Sequence, residues 1–369
     1  MNALPAPRLT DDPPAFVPRI TSHGSLAAVQ ADWRALEPCA WTIYQTFEWC
    51  RLWSETIGAQ AGVTPLILVV RDPDGAPRAL LPLGVRKTSY GRIADFLGGN
   101  DANYKAGLFG DDVEATDLWS LVRGAARAAR VDALALTNQP HAWGLRANPL
   151  AALPHQPSPS FAYSGSLAVD LSSALSNKER KKLRASERRL AVTGTLVHVQ
   201  APEAALAAHI LEAALGQKRA RLAGRAAPSD AAAAFLHQGV AEGVLRVDAL
   251  MLGERIIAAY IGAVHQGRYY GMVNAYDPDF ARSSPGVLLL MKLVEARRRE
   301  GVTTIDLGIG EARYKGLACP TVEPLFDSYL GVSGKGAPLA VALAARGRAK
   351  RWIKHTPWAY ALARRLVRG

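Results

Sequence analysis

From Tyr269 to Lys315 the chain reads as a strand, a Ser283-Ser284-Pro285-Gly286 turn, a helix over Gly286–Arg299 and a second strand over Thr303–Leu307. A glycine-rich exit follows, Gly308-Ile309-Gly310-Glu311, and then Tyr314-Lys315. A strand that feeds a helix through a Ser-Ser-Pro-Gly turn leaves unpaired N–H groups and the positive end of the helix dipole at one point. Such a point favours a phosphate. Gly286 lets a ligand come close to the backbone. The same residues also make an ordinary helix start, with Pro in the first turn.

The preceding residues supply more of the sheet. Val244–Leu252, Ile256–Val264 and Arg268–Ala275 are apolar runs separated by the turn pairs Gly253-Glu254 and Gln266-Gly267, which predicts three antiparallel strands. Ahead of them lie a strand over Leu167–Leu171 and a basic helix over Ser176–Ala191, opened by Ser176 and Glu179 as a capping box. A strand over Thr195–Gln200 and helices over Pro202–Leu222 and Ser229–Glu242 complete the approach, and Leu325–Val332 is a last strand. The first half has a similar order. Helices near Ser25–Glu37 and Phe47–Ile57 precede strands Pro65–Arg71 and Ala79–Val85, joined by Asp72-Pro73-Asp74-Gly75. A strand over Ile93–Leu97, a helix over Glu114–Arg130 and a strand over Val131–Leu136 follow, and Pro149–Pro159 is a linker or long loop. At 369 residues two domains are expected. The predicted division is a leader 1–18, an N-terminal domain 19–160, a C-terminal domain 161–334 and a tail 335–369.

The net charge of +12 is concentrated in two places. Ser176–Leu190 holds seven basic residues against Glu179 and Glu187. After Asp327 there is no acidic residue, while nine Lys and Arg occur between Lys335 and Arg368. The basic helix suits phosphates of a cofactor, a tRNA or an anionic glycan, or is a solvated face. It lacks interleaved aromatics, so base stacking and a DNA partner are not expected. The tail mixes those cations with Trp352, Trp358, Tyr360 and Leu362. That mixture suits an anionic membrane surface, or a pair of helices packed on the body. Cys39, Cys50 and Cys319 form no C-x-x-C, the leader has no signal-peptide core, and no run reaches the roughly 20 apolar residues of a span. A cytoplasmic protein with reduced thiols is expected. No metal-ligand spacing, no G-x-S-x-G and no G-x-x-x-x-G-K-S/T is present, so no metal is expected.

Three stretches carry a resemblance. They are Ser176-Asn177-Lys178-Glu179-Arg180-Lys181-Lys182-Leu183-Arg184, the run from Ala275-Tyr276-Asp277-Pro278 into Ser284-Pro285-Gly286-Val287, and Ile305-Asp306-Leu307-Gly308-Ile309-Gly310-Glu311 with Tyr314-Lys315. Their order resembles the GNAT acyltransferase fold. It is similar to the CelD/BcsL-type acetyltransferases of cellulose and exopolysaccharide loci and to FemAB-like proteins with two such domains. The phosphate turn differs from the usual family loop, with one residue more between Arg282 and Gly286 and a single glycine. The resemblance implies an α/β (α+β) fold of two GNAT-like domains, each a mixed, largely antiparallel sheet flanked by helices, with the first degenerate. It implies acetyl-CoA as donor, held by Val273, Ser283, Ser284, Gly286 and Val287. Tyr314 would be the general acid. Lys315 would stabilise negative charge or hold an acceptor, and Asp306 or Glu311 would orient or deprotonate that acceptor. Asn274, Tyr276 and Asp277 would line the acceptor side, or form an ordinary turn. A FemAB-like enzyme drawing on charged tRNA, and a non-catalytic scaffold of polysaccharide assembly, are the other readings the resemblance leaves open.

Overall fold

The computed structural model of the protein describes residues 19–110, 113, 115–168, 175–222, 228–310 and 315–368. The chain opens with β1 (Arg19–His23), α1 (Gln30–Leu36) and α2 (Phe47–Trp53), the last continued by a wider turn over Ser54–Gly58. Next come β2 (Val63–Arg71), β3 (Pro77–Thr88), β4 (Gly91–Phe96), β5 (Leu108–Phe109), α3 (Ala115–Ala128) and β6 (Ala133–Pro140). A small hairpin of β7 (Ala142–Trp143) and β8 (Arg146–Ala147) leads to β9 (Gln156–Pro157) and β10 (Ala162–Ser166). The second half holds α4 (Asn177–Thr193), β11 (Leu196–Gln200), α5 (Ala204–Leu222), α6 (Asp230–Ala241), β12 (Arg246–Leu252), β13 (Arg255–His265) and β14 (Arg268–Tyr276). It continues with α7 (Pro285–Arg299), β15 (Thr304–Ile309), α8 (Lys315–Ala318), β16 (Thr321–Glu323) and β17 (Leu325–Gly331), and ends in α9 (Gly336–His355) and α10 (Pro357–Arg368).

Two mixed sheets result, each flanked by helices, as the resemblance implied. The first runs β1-β2-β3-β4-β6-β17-β9 and the second β11-β12-β13-β14-β15-β10-β16. Each contains an antiparallel meander, then one parallel pair reached over a helix: β4 with β6 over α3, and β14 with β15 over α7. The parallel pair needs that crossover because a tight turn cannot reverse the chain twice. The basic helix is capped as expected. The Ser176 hydroxyl accepts from the Glu179 N–H, and the Glu179 carboxylate accepts from the Ser176 N–H.

The sheets exchange strands. Leu325–Gly331, expected to end the second half, pairs antiparallel with β6 in the first sheet. In the second sheet β10 lies between β15 and β16. The strand expected over Leu167–Leu171 is therefore displaced to Ala162–Ser166; Leu167 and Ala168 form a turn, and 169–171 fall outside the described residues. The expected linker Pro149–Pro159 carries a short helical turn and β9, both fixed to the body. Of three apolar clusters among the described residues, one spans both halves, with Trp49 edge-on to Phe235 at 5.6 Å and Tyr44 edge-on to Tyr270 at 5.6 Å. The first tail helix belongs to the body too. Gly336 sits so close to the Asp132 carbonyl that a Cβ would lie 1.6 Å from its oxygen.

Candidate functional site

The parallel pairing of β14 and β15 lasts only from Arg268–Thr304 to Tyr270–Asp306. Beyond it the strands separate, and Gly271–Tyr276 keeps a ladder partner only on the β13 side. A bulge falls at the divergence: Ile261 faces Val273 and Gly262 faces Gly271, so Met272 is the extra residue. A bulge bends its strand and frees a peptide from the ladder. The crowding permits only glycine at 262, where a Cβ would lie 2.4 Å from the Tyr270 carbonyl oxygen. Strand divergence and bulge together leave an edge of unpaired backbone groups, which a ligand amide can pair with in place of a strand.

That edge leads to a pocket of about 210 Å³ at the start of α7, lined among others by Arg221, Tyr260, Asn274, Tyr276, Ser284, Gly286 and Val287. Ser284 adopts the left-handed region at φ 52, and its carbonyl accepts from the Val287 and Leu288 amides. A non-glycine residue there costs roughly 1 kcal/mol or more, and the twist re-aims the first helical turn. The Gly286 amide has no acceptor among the described residues. A Cβ at 286 would meet only the Tyr276 ring, at 3.7 Å. The Arg221 guanidinium lies over that ring at 5.3 Å, so a fixed cation and the helix dipole face the same space. Sequence reasoning placed five of these residues and missed Tyr260, which reads as an apolar strand residue, and Arg221, whose only signal was its position at the basic end of a helix.

Of the other expected ligands, Ser283 ends a short helical turn over Pro278–Ser283, while Val273 lies on the open edge beside the bulge. Asp277 caps that turn by accepting from the Asp279 amide and pairs with Arg255 at 2.7 Å. Neither Ser283 nor Asp277 lines the pocket.

Asp306 is fully buried at the junction of the halves. Its carboxylate accepts from the Tyr104 hydroxyl at 2.6 Å, the Arg268 guanidinium at 3.0 Å and the Gly308 amide at 2.7 Å. Burial pushes it up to about 6, against those three donors. Both oxygens are engaged, which makes it an anchor for the strand exit. Arg268 also reaches Glu323 at 3.2 Å, and Glu323 accepts from the Ser164 hydroxyl. The Lys315 ammonium donates to the carbonyls of Gly308 and Ile309 at 3.2 and 2.9 Å, and burial lowers its pKa. From the first half, the Asn103 amide oxygen accepts from Ile309 N–H at 3.1 Å. The β15 lip is thus satisfied by Asn103 and Lys315, while the β14 lip is open. Tyr314 and Glu311 lie outside the described residues. Tyr104, Asn103, Arg268 and Glu323 were not foreseen, because their partners are distant in sequence.

The corresponding divergence in the first half is plugged. β4 and β6 pair only at Ile93–Ala133 and Ala94–Leu134. Beyond, Lys105 donates to Asp95 at 2.8 Å and to Thr137 at 2.9 Å, and the Thr137 amide donates to Asp95 at 3.2 Å. Other hollows lie elsewhere. One of about 480 Å³ lies between α4 and α7, and one of about 490 Å³ between the halves beside Trp41, Trp143 and Arg268. Neither touches the open edge of β14.

The stretch that holds this strand pair and helix start is also the one that comparison with known proteins picks out. The family model described as acetyltransferase (GNAT) domain matches residues 177–316. Over that stretch the chain is similar to the GNAT acetyltransferase domain. Among solved structures, FemX is similar with a TM-score of 0.60 at 11% identity, covering 88% of this chain and 100% of that one. A protein of unknown function from Bacteroides thetaiotaomicron VPI-5482 is similar with a TM-score of 0.57 at 11% identity, covering 85% and 100%. At such identities the likeness concerns the fold, and it extends over both halves. No curated protein matches the chain. The matched stretch runs from the basic helix to the start of α8. Among the described residues no group of His, Cys, Asp or Glu could hold a metal ion, and no helix is long and apolar enough to cross a membrane.

Proposed function

We propose that the chain is an acyltransferase that takes an acyl group, acetyl in the simplest case, from acyl-CoA. The observation that carries this reading is the open edge of β14 leading into the pocket at the start of α7. The donor's amide chain would pair with Gly271–Tyr276 as a missing strand would. Its pyrophosphate would sit at the Gly286 amide beside Arg221, within the pocket of Ser284, Val287, Tyr276 and Asn274. The thioester would then lie near Met272 and Val273, where the bulge frees a backbone N–H to polarise its carbonyl. An acceptor amine or hydroxyl attacks that carbonyl directly and gives up a proton, for which Glu311 is the candidate base; the C–S bond breaks, and the departing thiolate takes a proton, for which Tyr314 is the candidate donor. Asp306 and Lys315 act on this reading by holding the β15 exit in place. The plugged divergence in the first half supports a non-catalytic role for that half, which contributes Asn103 and Tyr104 to the second.

Titration calorimetry with acetyl-CoA tests the reading. Saturable binding of one equivalent, lost in Gly286→Glu, supports it. The exposed cations of α4, Lys178, Lys181 and Lys182 among them, favour the second reading, in which the donor is a charged tRNA. Absence of acetyl-CoA binding together with salt-sensitive binding of aminoacyl-tRNA would transfer the protein to that class.

A further inference from the structure

The corner between α9 and α10 leaves large apolar side chains in solvent. Trp352 is 54% exposed and Trp358 64%, and their rings stack edge-on at 5.5 Å. Leu362 follows Trp358 by one helical turn and is 51% exposed, while Ala359 turns inward. A paired, solvent-facing tryptophan cluster of this kind marks an interaction surface.

The charge around it names the partner. Lys350, Arg351 and Lys354 share the last turns of α9, and the sequence from Ser328 to its end holds no acidic residue. Tryptophan and tyrosine beside Lys and Arg, without carboxylates, fit the headgroup layer of an anionic bilayer, where amphipathic rings sit at the interface and cations meet lipid phosphates. The helices break at Thr356-Pro357, so they suit a surface and not a span.

The corner is also fixed to the body. Arg351 donates to the Ser158 carbonyl at 2.6 Å and lies over the Phe161 ring at 5.4 Å, and His355 packs on the same ring at 5.4 Å. The Phe161 carbonyl accepts from the Gly310 amide at 3.3 Å. A surface held by this corner therefore faces the side of the protein where β15 ends.

We propose that the α9–α10 corner docks the protein on an anionic lipid bilayer through Trp352, Trp358 and Leu362 with the surrounding cations. The test is co-sedimentation of the full chain with vesicles of phosphatidylglycerol and phosphatidylcholine, and with pure phosphatidylcholine, at low and high salt. The wild type should bind the anionic vesicles, bind the neutral ones weakly, and lose affinity as salt rises. The exposed double variant Trp352→Ser/Trp358→Ser should lose roughly tenfold or more in partitioning while keeping its circular dichroism. Lys350→Glu should weaken binding to anionic vesicles alone. Absence of wild-type binding overturns the proposal, as does equal binding of wild type and double variant. So does a concentration-dependent dimer that the tryptophan variant abolishes, which would make the corner a contact between copies.

Discussion

The most discriminating substitution is Gly286→Glu, read beside Gly286→Gln. Position 286 lies in the first turn of α7, and a Cβ there touches only the Tyr276 ring at 3.7 Å. Neither side chain clashes with the backbone. Replacing glycine inside a helix gains about 0.5–1 kcal/mol, and a carboxylate in the first turn adds ~0.3–1 kcal/mol against the dipole. Both variants should therefore be at least as stable as the wild type. Donor binding should respond differently. A carboxylate about 5 Å from a phosphate, at an effective dielectric near 20, is repelled by ~3 kcal/mol. That corresponds to a loss of roughly 100-fold or more in acetyl-CoA affinity. The uncharged glutamine fills the same space without the repulsion and should lose roughly 100-fold less. Calorimetry with acetyl-CoA, with urea unfolding as a control, reads both quantities. Equal affinities for the two variants would refute the electrostatic argument. Unchanged affinity in both would make the turn no more than a helix start.

Three other substitutions probe the site and its support. Tyr314→Phe should lower kcat by roughly 10- to 1000-fold with donor affinity unchanged, as for a lost general acid; turnover within a factor of two would remove Tyr314 from the mechanism. Asp306 titrates in the folded protein at about 6, above its ordinary 3.8, so the native state holds the extra proton between these values. Its contribution to stability then falls as pH rises through that window and stays lost above it, by roughly 2–3 kcal/mol. Urea unfolding of the wild type relative to Asp306→Asn between pH 4 and 7 should show that decline, and a difference independent of pH would contradict it. Asp248→Ala removes the fully buried carboxylate to which the Arg297 guanidinium donates at 2.6 and 2.8 Å, leaving it the half-exposed Glu300 at 2.8 Å, and should cost about 3–5 kcal/mol; a loss under 1 kcal/mol would show that Glu300 alone satisfies the arginine.

Much of the second sheet was legible because its signals are local. Gly253-Glu254 and Gln266-Gly267 close turns between adjacent strands, and the Ser176–Glu179 box opens its helix where the spacing says. Pocket residues from Asn274 to Val287 sit close in sequence around one strand end and one helix start, so a short motif contained them. The remainder depends on partners that no local pattern encodes. Alternation marks Leu325–Gly331 as a strand but carries nothing about which sheet accepts it, and it crosses to β6. Asp306 reads as a candidate base from its place just before Gly308-Ile309-Gly310. Its role as an anchor is set by Tyr104, 202 positions away. Trp352 and Trp358 could equally have been core residues by composition, and only their exposure separates the readings.

The central claim is that the open edge of β14 and the start of α7 hold an acyl-CoA. Titrating acetyl-CoA into the wild-type protein while following release of free thiol on addition of candidate amines and hydroxyl compounds measures it directly. The account predicts one saturable site per chain and thiol release that depends on an acceptor. Failure of acetyl-CoA and of longer acyl-CoA donors to bind the folded protein at millimolar concentration would contradict it.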